Sequence, residues 1–205
     1  MQKRFNFGRA GALFNRKTLQ RAFTKVVFDP TGQQREAANV WAAQVRHPNF
    51  RKAKETSVRG EFIQTVLVTV LGYTPYRAAE TFTVATEEAL GAGAVDTALG
   101  TFSSSERTIL APFELKGPGT DDLDAIMPGR NKSPVQQAWE YAIDAPGAKW
   151  VLVSNCAEIR LYAFGHGREL YETWDLGLLD DEARAAMAAH GRPKPSFRPH
   201  RRAAR

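Results

Sequence analysis

Several large classes of protein are excluded by what this chain lacks. It has a single cysteine, Cys156, in 205 residues, which rules out an internal disulfide or a multi-cysteine zinc site. That cysteine lies in an apolar run typical of a core thiol, and its isolation fits a reducing, cytoplasmic setting. The four histidines, His47, His166, His190 and His200, show neither metal-ligand spacing nor a histidine-nuclease pattern. No uninterrupted apolar run approaches the roughly 18 residues of a membrane span, and the N-terminus has no apolar stretch of the secretory kind. There is no glycine-rich cofactor loop and no Asn-Pro-Pro-Tyr-like tetrapeptide, so a methyltransferase domain is not expected in this chain. Asp and Glu are absent from Met1 to Phe28 and from Gly191 to Arg205. The first of these segments, basic and amphipathic, also fits the description of a mitochondrial transit peptide.

Charge is unevenly placed behind the formal net +6. Met1 to Gly60 holds thirteen Lys/Arg against three Asp/Glu, Glu61 to His190 holds nine against nineteen, and Gly191 to Arg205 holds six against none. Basic arms around an acidic centre suit a phosphate-backbone binder with a cation site, and nucleic acid is the natural partner. A disordered, solubilising tail is the alternative for the C-terminal arm.

Periodicity gives an α+β order. Helices are expected over Lys17 to Val26 and Gln34 to Val45, the second after the turn signal Asp29-Pro30-Thr31-Gly32 and ending before Pro48. A longer helix from Thr56 to Leu71 carries Phe62, Ile63, Val66, Val70 and Leu71 on one stripe, with Gly72 as its stop. Thr81 to Ala85, Ala94 to Phe102 and Ile109 to Lys116 read as three strands of a meander. Pro112 in the third requires an edge position, a strand start or a bulge. Gly117 to Lys132 reads as an ordered loop, and Ser133, Pro134 and Gln136 form a capping box opening the next helix. Lys149 to Ser154 and Glu158 to Phe164 follow as strands hinged at Asn155, with a short helix over Glu182 to Ala189. The expected division is a basic helical extension over 1–54, a core over 55–176, and a short helix with a basic tail over 177–205.

The chemistry lies on the third strand. In an extended strand alternate side chains share a face, so Glu114 and Lys116 point one way while Phe113 and Leu115 point the other. A carboxylate beside an ammonium group, joined by Asp96 from a neighbouring strand, suits a hard divalent ion and a water attacking phosphorus. The duller alternatives are an exposed Glu114–Lys116 strand pair, Asp96 as a strand-end residue and Glu61 as a helix-surface carboxylate. Gln137 and Tyr141, at i and i+4, stack on one helix face. Trp139 and Tyr141 also suit a core, and Asp121, Asp122 and Asp124 form a solvated loop or a second cation site.

The ordered set of Glu61, Asp96, "FELKG", "QQAWEYA" and "KWVLVSNCAEIRLYAFG" resembles the PD-(D/E)XK nuclease superfamily. More narrowly it resembles the nuclease module at the N-terminus of type IIG restriction-modification enzymes. The resemblance spans Gly60 to Trp174 and implies a restriction-endonuclease-like α/β/α core with a central mixed sheet flanked by helices. It further implies Mg2+, with Mn2+ as a substitute, held by Asp96, Glu114 and the Leu115 carbonyl, with Glu61 as an outer ligand. Lys116 would orient the attacking water and steady the charged phosphorane, and Gln137 and Tyr141 would touch backbone phosphate or order water. Val95 stands where the motif's name has proline, a departure the family tolerates. The implied activity is Mg2+-dependent hydrolysis of DNA phosphodiesters in a restriction-modification system, with a methyltransferase or specificity subunit in another chain. The other readings are an idle nuclease-fold module for DNA binding or assembly, and a fragment of a bifunctional nuclease-methyltransferase.

Overall fold

Reciprocal caps fix where the two best-defined helices begin. Thr31 Oγ1 accepts from Gln34 N–H at 3.2 Å while Gln34 Oε1 accepts from Thr31 N–H at 2.9 Å, and helix α2 (Gly32–Arg46) runs from there to His47, before Pro48. The same box joins Ser133 and Gln136, at 3.1 and 2.9 Å, at the start of helix α4 (Pro134–Asp144). The computed structural model describes residues 12–25, 29–76, 80–91 and 93–179. The helix expected over Glu182 to Ala189 and the basic C-terminal tail lie outside the described residues. Helix α1 (Arg16–Phe23) is capped by Asn15 Oδ1, which accepts from Lys17 and Thr18 N–H.

The chain is mixed α+β. Strands β1 (Thr81–Leu90), β2 (Gly93–Ser103), β3 (Arg107–Leu115), β4 (Trp150–Ser154), β5 (Glu158–Ala163) and β6 (Tyr171–Asp175) form one six-stranded sheet in sequential order. The first three are the expected antiparallel meander; β3 and β4 are parallel, with α4 in the connection, and β4, β5 and β6 are antiparallel. Pro112 is in an interior strand. It is tolerated because the register shift between Leu99 and Gly100 lies two residues before it and pairing with β4 begins only at Phe113. Gly100 belongs at that shift, since a Cβ there would collide with the Thr108 carbonyl.

Helices cover both faces of the sheet. On one, Trp41, Phe62, Val66 and Leu67 pack on Leu99, Ala111, Phe113 and Leu115. The Trp41 ring meets Phe62 edge-on at 5.7 Å and Phe62 meets Phe113 at 6.0 Å. Trp41 is fully buried, so α2, expected in an N-terminal extension, closes the same core as α3 (Glu55–Phe62). On the other face α4 lays Val135, Ala138, Trp139 and Ala142 on Val151, Val153 and Tyr162.

Three elements differ from the sequence expectation. The helix after Glu55 changes at Ile63 into a π-helical stretch, Ile63–Val70, with Leu71 N–H bonding to the Val66 carbonyl at 3.0 Å; an apolar stripe alone does not report its wider turn. It still ends at Gly72, at φ 78°. Strand β1 continues five residues past Ala85, through Thr86-Glu87-Glu88, whose polarity hides it. Edge strand β6 escaped notice because its inward residue is Glu172, buried where Phe14 N–H donates to its Oε1 at 3.1 Å.

Candidate active site

The end of β3 places the expected charged pair. Glu114 is paired with Val153, whose side chain packs under α4, so Glu114 turns toward the α4 face while Phe113 and Leu115 enter the aromatic core. Glu114 is fully buried and Lys116 is 3% exposed, which removes the exposed-pair reading. Lys116 Nζ donates to Glu114 Oε1, while Glu114 Oε2 is buried with no hydrogen-bond partner. Burial above all, then the negative charge of Asp96, raises the Glu114 carboxyl to about 7; the Lys116 and Arg130 cations pull the other way without restoring the ordinary value.

Asp96 joins from β2. Thr97 is opposite Phe113, and one further step in that antiparallel register sets Asp96 beside Glu114. Leu115 N–H donates to Asp96 Oδ2 at 3.1 Å, which brings the Leu115 backbone to the same place. Asp96 Oδ1 faces a residue that sequence reasoning did not single out: Arg59 of α3, whose Nη1 lies 3.2 Å away. The Arg59 Nη2 atom reaches the Asp96 carbonyl at 3.4 Å and Glu87 Oε1 at 3.1 Å. Nothing in the one-dimensional pattern marked Arg59, because its partners lie 28 and 37 residues away.

The structure sets Glu61 apart from this group. Two residues are about 200° around a helix, so with Arg59 turned to Asp96 the Glu61 side chain points elsewhere. It is exposed and accepts from Gln44 Nε2 of α2 at 2.7 Å. Gln137 and Tyr141 are joined to each other, Gln137 Nε2 donating to the Tyr141 hydroxyl at 3.1 Å. Arg130 from the preceding loop approaches Gln137 Oε1 at 3.5 Å and also acts on the Glu114 charge, linking the α4 pair to the carboxylates. Trp139 belongs to the core. Asp121 pairs with the exposed Arg51, and Asp124 Oδ2 accepts from the largely buried Arg160 at 2.7 Å, so both loop carboxylates are engaged by cations.

The floor under Lys116 is built by the Ser154-Asn155-Cys156 turn. Lys116 N–H donates to the Ser154 carbonyl at 2.8 Å. Asn155 Oδ1 accepts from Ala157 and Glu158 N–H while its Nδ2 donates to the Thr120 carbonyl at 2.8 Å, which ties the loop leaving the site to the turn. Cys156 adopts φ 65°, is fully buried, and points its Sγ at the Lys116 carbonyl, 3.5 Å away. Burial pushes its thiol up to about 12, with the Glu55 charge adding to the effect, so it is no nucleophile. Gly117 admits the start of α3: a Cβ there would stand 3.1 Å from Glu55 Cβ, and its N–H donates to Glu55 Oε2 at 3.1 Å.

The donors fit a hard divalent ion. Adjacent Asp96 and Glu114 carboxylates and a bare, buried Glu114 oxygen are hard oxygen donors of the kind that Mg2+ or Mn2+ takes, and the Leu115 backbone lies beside them. Among the described residues no three His, Cys, Asp or Glu side chains converge into a group that could hold a metal ion. No helix among the described residues is long and apolar enough to cross a membrane. No protein-family model, no curated protein and no solved structure matches this chain.

Proposed function

We propose that this chain is a divalent-cation-dependent DNA endonuclease with a PD-(D/E)XK core, serving as the restriction module of a restriction-modification system. The observation that carries the reading is the buried Glu114–Lys116 pair beside Asp96, with one Glu114 oxygen left bare. The sheet supports it: two adjacent antiparallel strands bring the carboxylates together, and the parallel crossover between β3 and β4 runs through α4, which carries the hydrogen-bonded Gln137 and Tyr141.

Asp96, Glu114 and the Leu115 carbonyl would hold the ion, which when bound supplies Lewis acidity and an activated water. Lys116 orients the water oxygen toward phosphorus and sets a positive charge where negative charge grows on the nonbridging oxygens. The oxygen on the far side of phosphorus leaves as its bond breaks. Arg130, Gln137 and Tyr141 stand on the α4 side as groups able to meet the phosphate backbone.

The test is nicking and linearisation of plasmid DNA in Mg2+ and in Mn2+. The parent should cleave, and Asp96→Asn, Glu114→Gln and Lys116→Ala should each lose roughly a hundredfold or more. Equal rates in all four proteins would overturn the reading. The ion pair between Arg59 and Asp96 favours a second reading, an idle nuclease-fold module that binds DNA without turnover. A parent that retains DNA in a gel-shift assay yet leaves it intact in both metals would establish that one.

A further inference from the structure

Arg59 holds the position on Asp96 that a metal ion would need. Asp96 Oδ2 is engaged by Leu115 N–H, so Oδ1 is the oxygen open to a cation, and Arg59 Nη1 lies on it at 3.2 Å. Both side chains are shielded, Arg59 at 22% exposure and Asp96 at 21%, which makes their pairing stronger than that of a solvated pair. The guanidinium has a second anchor in Glu87, whose side chain is 77% exposed. Glu87 is held at φ 52°, a left-handed conformation unfavourable for this residue type, and its carboxylate meets Arg59 Nη2 at 3.1 Å.

Charge balance points the same way. Asp96, Glu114 and Glu87 face Arg59 and Lys116, so a divalent ion added to these five groups turns a net negative charge into a positive excess, which withdrawal of the guanidinium from Asp96 toward the exposed Glu87 would relieve. We propose that Arg59 is a resident counter-cation that competes with the divalent ion for Asp96 Oδ1 and moves onto Glu87 when the ion binds. The proposal rests on the reading of Asp96 and Glu114 as the ion-holding pair. It makes the exchange a switch: without the ion Arg59 closes the site, and with it the guanidinium faces the rim where phosphate would arrive.

The experiment is a calorimetric titration of the full chain with Mn2+, using the parent, Arg59→Met, Arg59→Gln, Arg59→Lys and Asp96→Asn. The two neutral variants should bind roughly tenfold more tightly than the parent, Arg59→Lys should fall between, and Asp96→Asn should lose binding. Unchanged or weaker affinity in neutral variants that keep the parent's circular dichroism would overturn the proposal and leave the ion-holding pair standing. A parent that takes up no Mn2+ would overturn both. A second measurement needs no neutral variant to fold: the Arg59 side-chain Nε–H resonance, assigned by its loss in Arg59→Lys, should shift as Mg2+ is added to the parent. A resonance unmoved at saturating Mg2+ would equally sink the exchange.

Discussion

The two faces of strand β3 do opposite work. On one, Phe113 and Leu115 lie in an aromatic and aliphatic core with Phe62 and Trp41. On the other, one residue along, Glu114 and Lys116 are buried just as completely. Burial stabilises the first face by roughly 2 kcal/mol per large side chain. It works against the second, because the attraction of Lys116 returns less than the Glu114 carboxylate loses in leaving water. A strand that maximised stability would carry apolar residues on both sides, and the polar face is what the proposed activity would use.

Three measurements would break or sharpen that contrast. The largest effect is expected from Phe113→Ala, which removes the ring that Phe62 meets edge-on and should cost about 3–5 kcal/mol in urea denaturation. A loss below about 1 kcal/mol would mean that this face is not the mainstay of the core.

The next concerns pH. The Glu114 carboxyl is raised to about 7 in the fold from an ordinary value near 4.5, so the folded chain holds a proton that the unfolded chain has released. Its contribution to stability is fully present below about 4.5 and disappears as pH rises through about 7, a loss on the order of 3 kcal/mol. Glu114→Gln should flatten that part of the profile. A parent and variant with parallel profiles from pH 4.5 to 7.5 would show the carboxyl to be ordinary. The smallest effect belongs to Ser133→Ala, which removes the cap of α4 and should cost about 1 kcal/mol without changing that pH profile.

Much of this arrangement was legible in the residues. Caps at Thr31 and Ser133, the stop at Gly72 and the strand alternation that sets Glu114 and Lys116 apart from Phe113 are local rules, and local rules are written in adjacent letters. The Asp96–Glu114 approach required only that two successive strands pair. What was missed depends on distance or on geometry that side-chain type does not encode. Arg59 became part of the site through contacts 28 and 37 residues away, and Arg130 through a loop with no periodic pattern. Glu61 entered only through the family resemblance, its own position reading as a helix-surface carboxylate, and the rotation of α3 turns Arg59, two residues earlier, toward the strands. The π-helical stretch and the buried Glu172 of β6 run against simple patterns, one in turn width and the other in polarity.

The sealed thiol of Cys156 gives the molecule a built-in clock. Its sulfur lies under the Lys116 carbonyl, in a turn closed by the Asn155–Thr120 and Trp41–Cys156 hydrogen bonds. A thiol-reactive dye can reach it only when that turn lifts, so the labelling rate in native buffer reports how often the floor under Lys116 opens. With one cysteine in the chain, the signal comes from a single, known place.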